Sequence, residues 1–149
     1  TLYGKKLTGA QLKDYLEYAA KYYHQVPSGT KVDTSTLTNA NSFWDYMYDT
    51  AAGVSYDIDI AQPEGSRIKN LSYNGAAVAD DQVFVVAVNN YRANGGSGYP
   101  HIAGAESAYS STNQVRDLMI AYATAKGTID PSTFAATNWK LTQDGTPVF

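Results

Sequence analysis

Apolar residues Leu12, Tyr15, Leu16, Ala19 and Tyr23 recur at helical spacing behind Thr8, which has Gln11 three residues on. This pattern predicts an amphipathic helix from residue 9 to about residue 23, opened by a capping box. Residues 2–7 before it read as a short extended segment. Residues 54–60 alternate apolar and polar, the period of a half-buried strand. Asp57 and Asp59 then share one face, which permits a carboxylate pair but fits the solvent side of a sheet better. Residues 67–73 begin another strand, and Asn74-Gly75 after them is a hairpin signal. The run Val83-Phe84-Val85-Val86-Ala87-Val88 is almost wholly apolar, as expected of a central strand covered on both faces. Further on, Ser111 or Thr112 can cap a second helix on which Val115, Leu118, Met119 and Tyr122 repeat, with Gly127 as its stop. Residues 25–40, rich in Ser, Thr, Gly, Pro and Asn, read as a surface loop, and the tail with Pro131, Trp139 and Gly145-Thr146-Pro147 reads as irregular. Helix, strands, then helix predict an α+β class: a mixed, mainly antiparallel sheet packed with helices.

At 149 residues, with no visible linker, the whole chain, 1–149, reads as one domain. Eleven basic against 14 acidic residues give a net charge of -3, which argues against a nucleic acid polymer as partner and leaves a single nucleotide open. The chain has no cysteine, so disulfides, thiolate metal sites and cysteine nucleophiles are excluded. No apolar run reaches the length of a membrane span, and no basic-then-apolar leader opens the sequence. Thr1 in place of an initiator methionine suggests a fragment or a processed form. Tyrosine outnumbers phenylalanine 13 to 4, a bias towards rings with a polar edge that suits wet stacking surfaces as well as half-exposed sheets.

Candidate chemistry is concentrated in Asn89-Asn90-Tyr91-Arg92-Ala93-Asn94-Gly95-Gly96-Ser97-Gly98-Tyr99-Pro100. Three glycines in four positions free the backbone for left-handed turns, and the loop ends on Tyr99 as if built to present that ring. Tyr48, upstream, is a second tyrosine in a similar setting. Two opposed rings can wall a slot for a nucleobase, or the same rings can be core edges. Catalytic patterns are absent. Only His24 and His101 are available, neither in a metal-type spacing, and Gly96-Ser97-Gly98 lacks the strand-turn-helix setting of a nucleophile elbow. The glycine loop also lacks the Gly-Lys-Ser/Thr ending of a phosphate loop.

Four segments, in order, resemble the C-terminal domain of the 5'-nucleotidase superfamily. They are Thr8-Gly9-Ala10-Gln11-Leu12-Lys13-Asp14-Tyr15-Leu16-Glu17, the block from Tyr48 to Ile60, Gly65-Ser66-Arg67-Ile68, and Asn89 to Tyr99. Within the superfamily, Asn41-Ser42-Phe43-Trp44-Asp45-Tyr46-Met47-Tyr48-Asp49 and Asn89-Asn90-Tyr91-Arg92 look most like the bifunctional 2',3'-cyclic-nucleotide 2'-phosphodiesterase/3'-nucleotidases. The resemblance implies a substrate-specificity domain that binds a mononucleotide or nucleoside, with the base clamped between Tyr48 and Tyr99. It further implies a partner in the same polypeptide, an N-terminal metallophosphoesterase domain holding two divalent metal ions; this chain itself carries no cofactor. By the same resemblance Asn90 and Arg92 shape the loop, Gly95, Gly96 and Gly98 supply its turns, and Asp49 either reaches the base edge or caps a turn. The arginine that classical 5'-nucleotidases place at the end of the first helix aligns with Tyr22, and Glu106 is the nearest candidate for their acidic ribose ligand. A secreted, cell-wall or periplasmic location is expected, and the chain alone is expected to hydrolyse no nucleotide. The rival readings are the specificity domain of a 5'-nucleotidase or nucleotide-sugar hydrolase, and a non-catalytic glycan-binding surface module.

Overall fold

The computed structural model describes residues 1–149. Its elements, in chain order, are β1 (Leu2–Thr8), α1 (Gly9–Ala19), β2 (Ser55–Asp59), β3 (Ile68–Tyr73), β4 (Ala76–Ala77) and β5 (Val83–Asn89), followed by α2 (Asn90–Ala93), β6 (Ser107–Ser110), α3 (Val115–Lys126), β7 (Trp139–Gln143) and β8 (Thr146–Pro147). The class is α+β, as the sequence predicts. The elements form two compact units: Thr1–Thr8 with Val83–Thr137, and Gly9–Gln82 with Asn138–Phe149.

In the first unit β1 is the middle strand of a three-stranded antiparallel sheet ordered β5-β1-β6. The apolar run of residues 83–88 is therefore an edge strand, not a central one. Its residues alternate in burial, with Val83 61% and Val85 60% exposed. A run of valines reports β propensity, and that is equally met with one face of the strand open. The second helix, α3, starts behind Gln114 rather than at Ser111 or Thr112. The Ser111 hydroxyl is spent on a turn of its own, accepting from the Asn113 amide at 2.9 Å, so it cannot cap the helix. The helix ends at Gly127 (φ 71°), as the glycine signal predicts, yet its apolar residues Met119 and Tyr122 are exposed and none is buried.

The second unit sets α1 beside a five-stranded sheet ordered β4-β3-β2-β7-β8. Here the central strand is β2, antiparallel to β3 and parallel to β7. Asp57 and Asp59 are consequently buried, contrary to the solvent-face reading, and each has partners that make burial tolerable. Asp57 accepts from Asn70 Nδ2 at 2.7 Å and lies 3.7 Å from Lys140 Nζ; Asp59 accepts from the Ala61 and Asp144 amides at 3.1 and 3.0 Å. The tail read as irregular in fact supplies β7 and β8. Asn74-Gly75 and Asp144-Gly145 both turn with positive φ at the two positions (51° and 80°; 51° and 76°), the geometry of tight hairpins. Residues 25–40 are largely exposed loop, held by Gln143 Nε2, which donates to the carbonyls of Val26, Pro27 and Thr30.

The core of this unit includes Leu12, Leu16, Ile58, Ile60, Ile68 and Leu141. Thr142 shares that core, and its hydroxyl is buried with no hydrogen-bond partner. An unmet buried donor carries its full desolvation cost. Thr142→Val, which replaces the hydroxyl by a methyl of similar size, is expected to raise stability by about 1 kcal/mol. A lower urea midpoint in this variant would show that the hydroxyl is satisfied in solution.

Candidate functional site

The glycine loop lies in the first unit. Asn89 opens the one-turn α2, its side-chain oxygen accepting from the Arg92 amide at 2.8 Å. Asn90 is tied to the first residue, its amide donating to the Thr1 carbonyl and its Oδ1 accepting from the Thr1 amino group, both at 2.9 Å. Gly95 (φ 84°) and Gly98 (φ 74°) take left-handed conformations, as does Ser97 between them (φ 62°). Gly96 serves a different need. A Cβ there would stand 2.5 Å from the Tyr91 ring, so the ring rests directly on the loop backbone.

The loop does not present Tyr99. That ring is only 4% exposed, with the Arg92 guanidinium 4.3 Å from its centroid. Arg92 is itself buried, and its Nη1 donates to the Gly96 carbonyl at 2.7 Å, so one side chain both covers Tyr99 and fixes the loop. The exposed ring is Tyr91, at 55%, with its hydroxyl 3.3 Å from Ser97 Oγ. Three glycines signal a backbone that can turn sharply; they do not signal which neighbouring ring the turn leaves uncovered.

Tyr48 lies in the second unit, within an aromatic cluster. It follows a one-turn 3-10 segment, Asp45–Met47, and is half-buried. Tyr22, on the 3-10 turn that extends α1, stacks on it with ring centroids 4.7 Å apart and planes at 20°. Tyr23 and Trp139 meet it edge-on, at 5.6 Å and 85° and at 6.2 Å and 79°. The Tyr23 hydroxyl donates to the Tyr48 oxygen at 3.3 Å, and the Tyr22 hydroxyl donates to Asp45 Oδ1 at 2.9 Å. Burial, and then the Asp45 carboxylate, push the Tyr22 phenol above its usual pKa; burial raises Tyr23 despite the bond to Tyr48. Both phenols stay neutral at physiological pH, so the cluster offers uncharged π faces. Asp49 is occupied: its Oδ2 accepts from the Tyr15 hydroxyl at 2.6 Å. Beside the cluster lies a cleft of about 240 Å³ lined by Tyr23, Trp139, Lys140, Leu141 and Phe149.

Sequence reasoning singled out Tyr48 as a stacking ring, but named Tyr22 only as the position aligned with an arginine and Trp139 only as part of an irregular tail. Tyr22 sits next to the helical stripe that ends at Tyr23, and Trp139 belongs to a strand whose parallel partner is distant in sequence, so neither carries a local signal. No group of three or more His, Asp or Glu side chains is arranged to hold a metal ion, and no helix is long and apolar enough to cross a membrane.

A family model described as the 5'-nucleotidase C-terminal domain matches residues 1–104. Over 95% of its length the chain is 33% identical to a 2',3'-cyclic-nucleotide 2'-phosphodiesterase/3'-nucleotidase of Yersinia enterocolitica and 34% identical to one of Salmonella typhimurium. It is 33% identical over 91% of its length to the trifunctional nucleotide phosphoesterase protein YfkN of Bacillus subtilis. The chain spans 24% of each of the first two proteins and 10% of the third. Among solved structures, a putative 5'-nucleotidase from Staphylococcus aureus superposes with a TM-score of 0.74 at 25% identity, over 96% of this chain and 27% of that one.

Proposed function

Because the chain belongs to the family of 5'-nucleotidase C-terminal domains, we propose that it is the nucleoside-binding part of a longer, metal-dependent hydrolase acting on 2',3'-cyclic and 3'-nucleotides. The names of its relatives, matched over nearly the whole chain, support that substrate class. Nothing in these 149 residues fits a two-metal centre, so two divalent ions and the attack on phosphorus belong to an N-terminal metallophosphoesterase domain outside them. The work of this chain is to hold the nucleoside, which raises the rate by placing the phosphate where the metal centre acts. A secreted, cell-wall or periplasmic location accompanies this reading.

Tyr48 and Tyr99 are the rings given a stacking role towards the base. The observation that carries this assignment is that each ring already has a π-type partner on it, the Tyr22 ring in one case and the Arg92 guanidinium in the other. A base replaces those partners, so the loop must uncover Tyr99 on binding. A second reading has its own support: Tyr91 is the ring the glycine loop leaves exposed, and it takes the place of Tyr99 as the stacking ring of that loop.

Calorimetric titration of adenosine and guanosine separates the two. Tyr48→Ala is expected to lose about 1–3 kcal/mol of binding, and Tyr48→Phe little. Tyr99→Leu, which keeps bulk in a buried position but removes the π face, is expected to lose a similar amount while Tyr91→Ala loses none. A loss in Tyr91→Ala with Tyr99→Leu unaffected moves the loop's stacking role to Tyr91. Unchanged affinity in Tyr48→Ala refutes stacking at this cluster.

A further inference from the structure

Resting on the stacking role given to Tyr48, we propose that Tyr22 is a built-in competitor for the nucleobase: in the free protein its ring occupies the Tyr48 face on which the base stacks, and binding displaces it. The geometry is that of a base on a tyrosine. The two planes are within 20° of parallel at 4.7 Å, whereas Tyr23 and Trp139 meet the same ring in T-shaped contacts, so Tyr22 is the partner that stacks on it as a base would. There is no room between the stacked rings, because a sandwiched base needs its walls roughly 7 Å apart. The base therefore cannot join the pair without moving Tyr22.

The ring is held by contacts that a ligand can replace. Its phenol is anchored to Asp45, an exposed carboxylate on a one-turn segment, at 2.9 Å. Its backbone, by contrast, is fixed, since the Tyr22 carbonyl accepts from the Asn39 amide at 2.7 Å. The displacement is thus a change of side-chain rotamer rather than a melting of the turn.

Adenosine and guanosine titrations of Tyr22→Ala, Tyr48→Ala and the double variant test this directly. Removing the competitor is expected to tighten binding about two- to tenfold, the worth of one aromatic pair. That gain should vanish in the double variant. Tyr22→Phe, which keeps the ring but drops the Asp45 bond, should gain less than Tyr22→Ala. Unchanged or weaker binding in Tyr22→Ala, alongside the expected loss in Tyr48→Ala, overturns the competition and leaves the role of Tyr48 standing. If Tyr48→Ala binds as the parent does, the stacking role falls and this inference falls with it.

Discussion

Arg67→Met is expected to destabilise the Gly9–Gln82 and Asn138–Phe149 unit by about 2–6 kcal/mol, the cost of two buried carbonyls left without a donor at about 1–3 kcal/mol each. Arg67 is 2% exposed, and its side chain donates to three carbonyls: Ala20 at 2.9 Å and Tyr23 at 2.7 Å through Nη1, and Gln62 at 3.0 Å through Nε. Two of those carbonyls lie at the end of α1 and its 3-10 extension, where backbone acceptors run short of intrahelical donors. Methionine fills similar volume but takes the donor from the buried Tyr23 and Gln62 carbonyls, while Ala20 keeps the Tyr23 amide at 3.2 Å. Burial lowers the Arg67 pKa, while Glu64 and Glu17 act the other way, and a guanidinium starting so high stays charged at any ordinary pH. Glu17, also buried, accepts from the Arg67 and Ile68 amides at 2.9 and 2.7 Å, so Glu17→Leu should cost a comparable amount. Both tryptophans, Trp44 and Trp139, belong to this unit, so urea unfolding followed by tryptophan fluorescence reports on it selectively. A midpoint unchanged in Arg67→Met would mean that water reaches these carbonyls. The brace also has a functional reach, because it fixes the end of α1 from which Tyr22 and Tyr23 project.

The contrast between β2 and β5 shows what a sequence of this kind conveys. Alternation in residues 54–60 and an apolar run in residues 83–88 suggest, by their local pattern, a half-buried strand and a central one covered on both faces. The structure has them the other way round. The reason is long-range: β2 gains a second neighbour from β7, which is parallel to it and lies in a tail with little local strand pattern. Two aspartates can then be buried because Asn70, Lys140 and backbone amides come to meet them, and none of those partners is visible from residues 54–60. Signals tied to a few adjacent residues fared better. The first helix, its start at Gly9, the Asn74-Gly75 hairpin and the Gly127 stop are where the sequence puts them. The functional residues divide in the same way. Ordered motifs were enough to recognise the family, but which ring lies under which depends on where Arg92 points, and that is settled only when the chain is folded.

Gly9→Ala is expected to cost about 2–3 kcal/mol, although alanine is the better helix former. A Cβ at this position would lie 2.1 Å from the Ala79 carbonyl oxygen and 2.6 Å from Val78 Cγ1. The obstacle is backbone, and it is tethered: the Ala79 carbonyl accepts from the Gln82 amide at 3.1 Å, and the Asp80 carbonyl accepts from the Ala10 amide at 3.0 Å. Overpacking of this kind costs about 1–3 kcal/mol, near the top of the range when the neighbour cannot turn aside. Against it stands the preference of helices for alanine over glycine, at most about 1 kcal/mol and less at the first helical residue. The clash wins. Since α1 must shift to relieve it, the Tyr22 ring at its far end should move off Tyr48 as well, changing nucleoside affinity as well as stability. Urea unfolding by tryptophan fluorescence, with an adenosine titration on the same sample, reads both. A midpoint equal to or above that of the parent would show that the 78–80 segment yields without cost, and that Gly9 is dispensable for seating the helix.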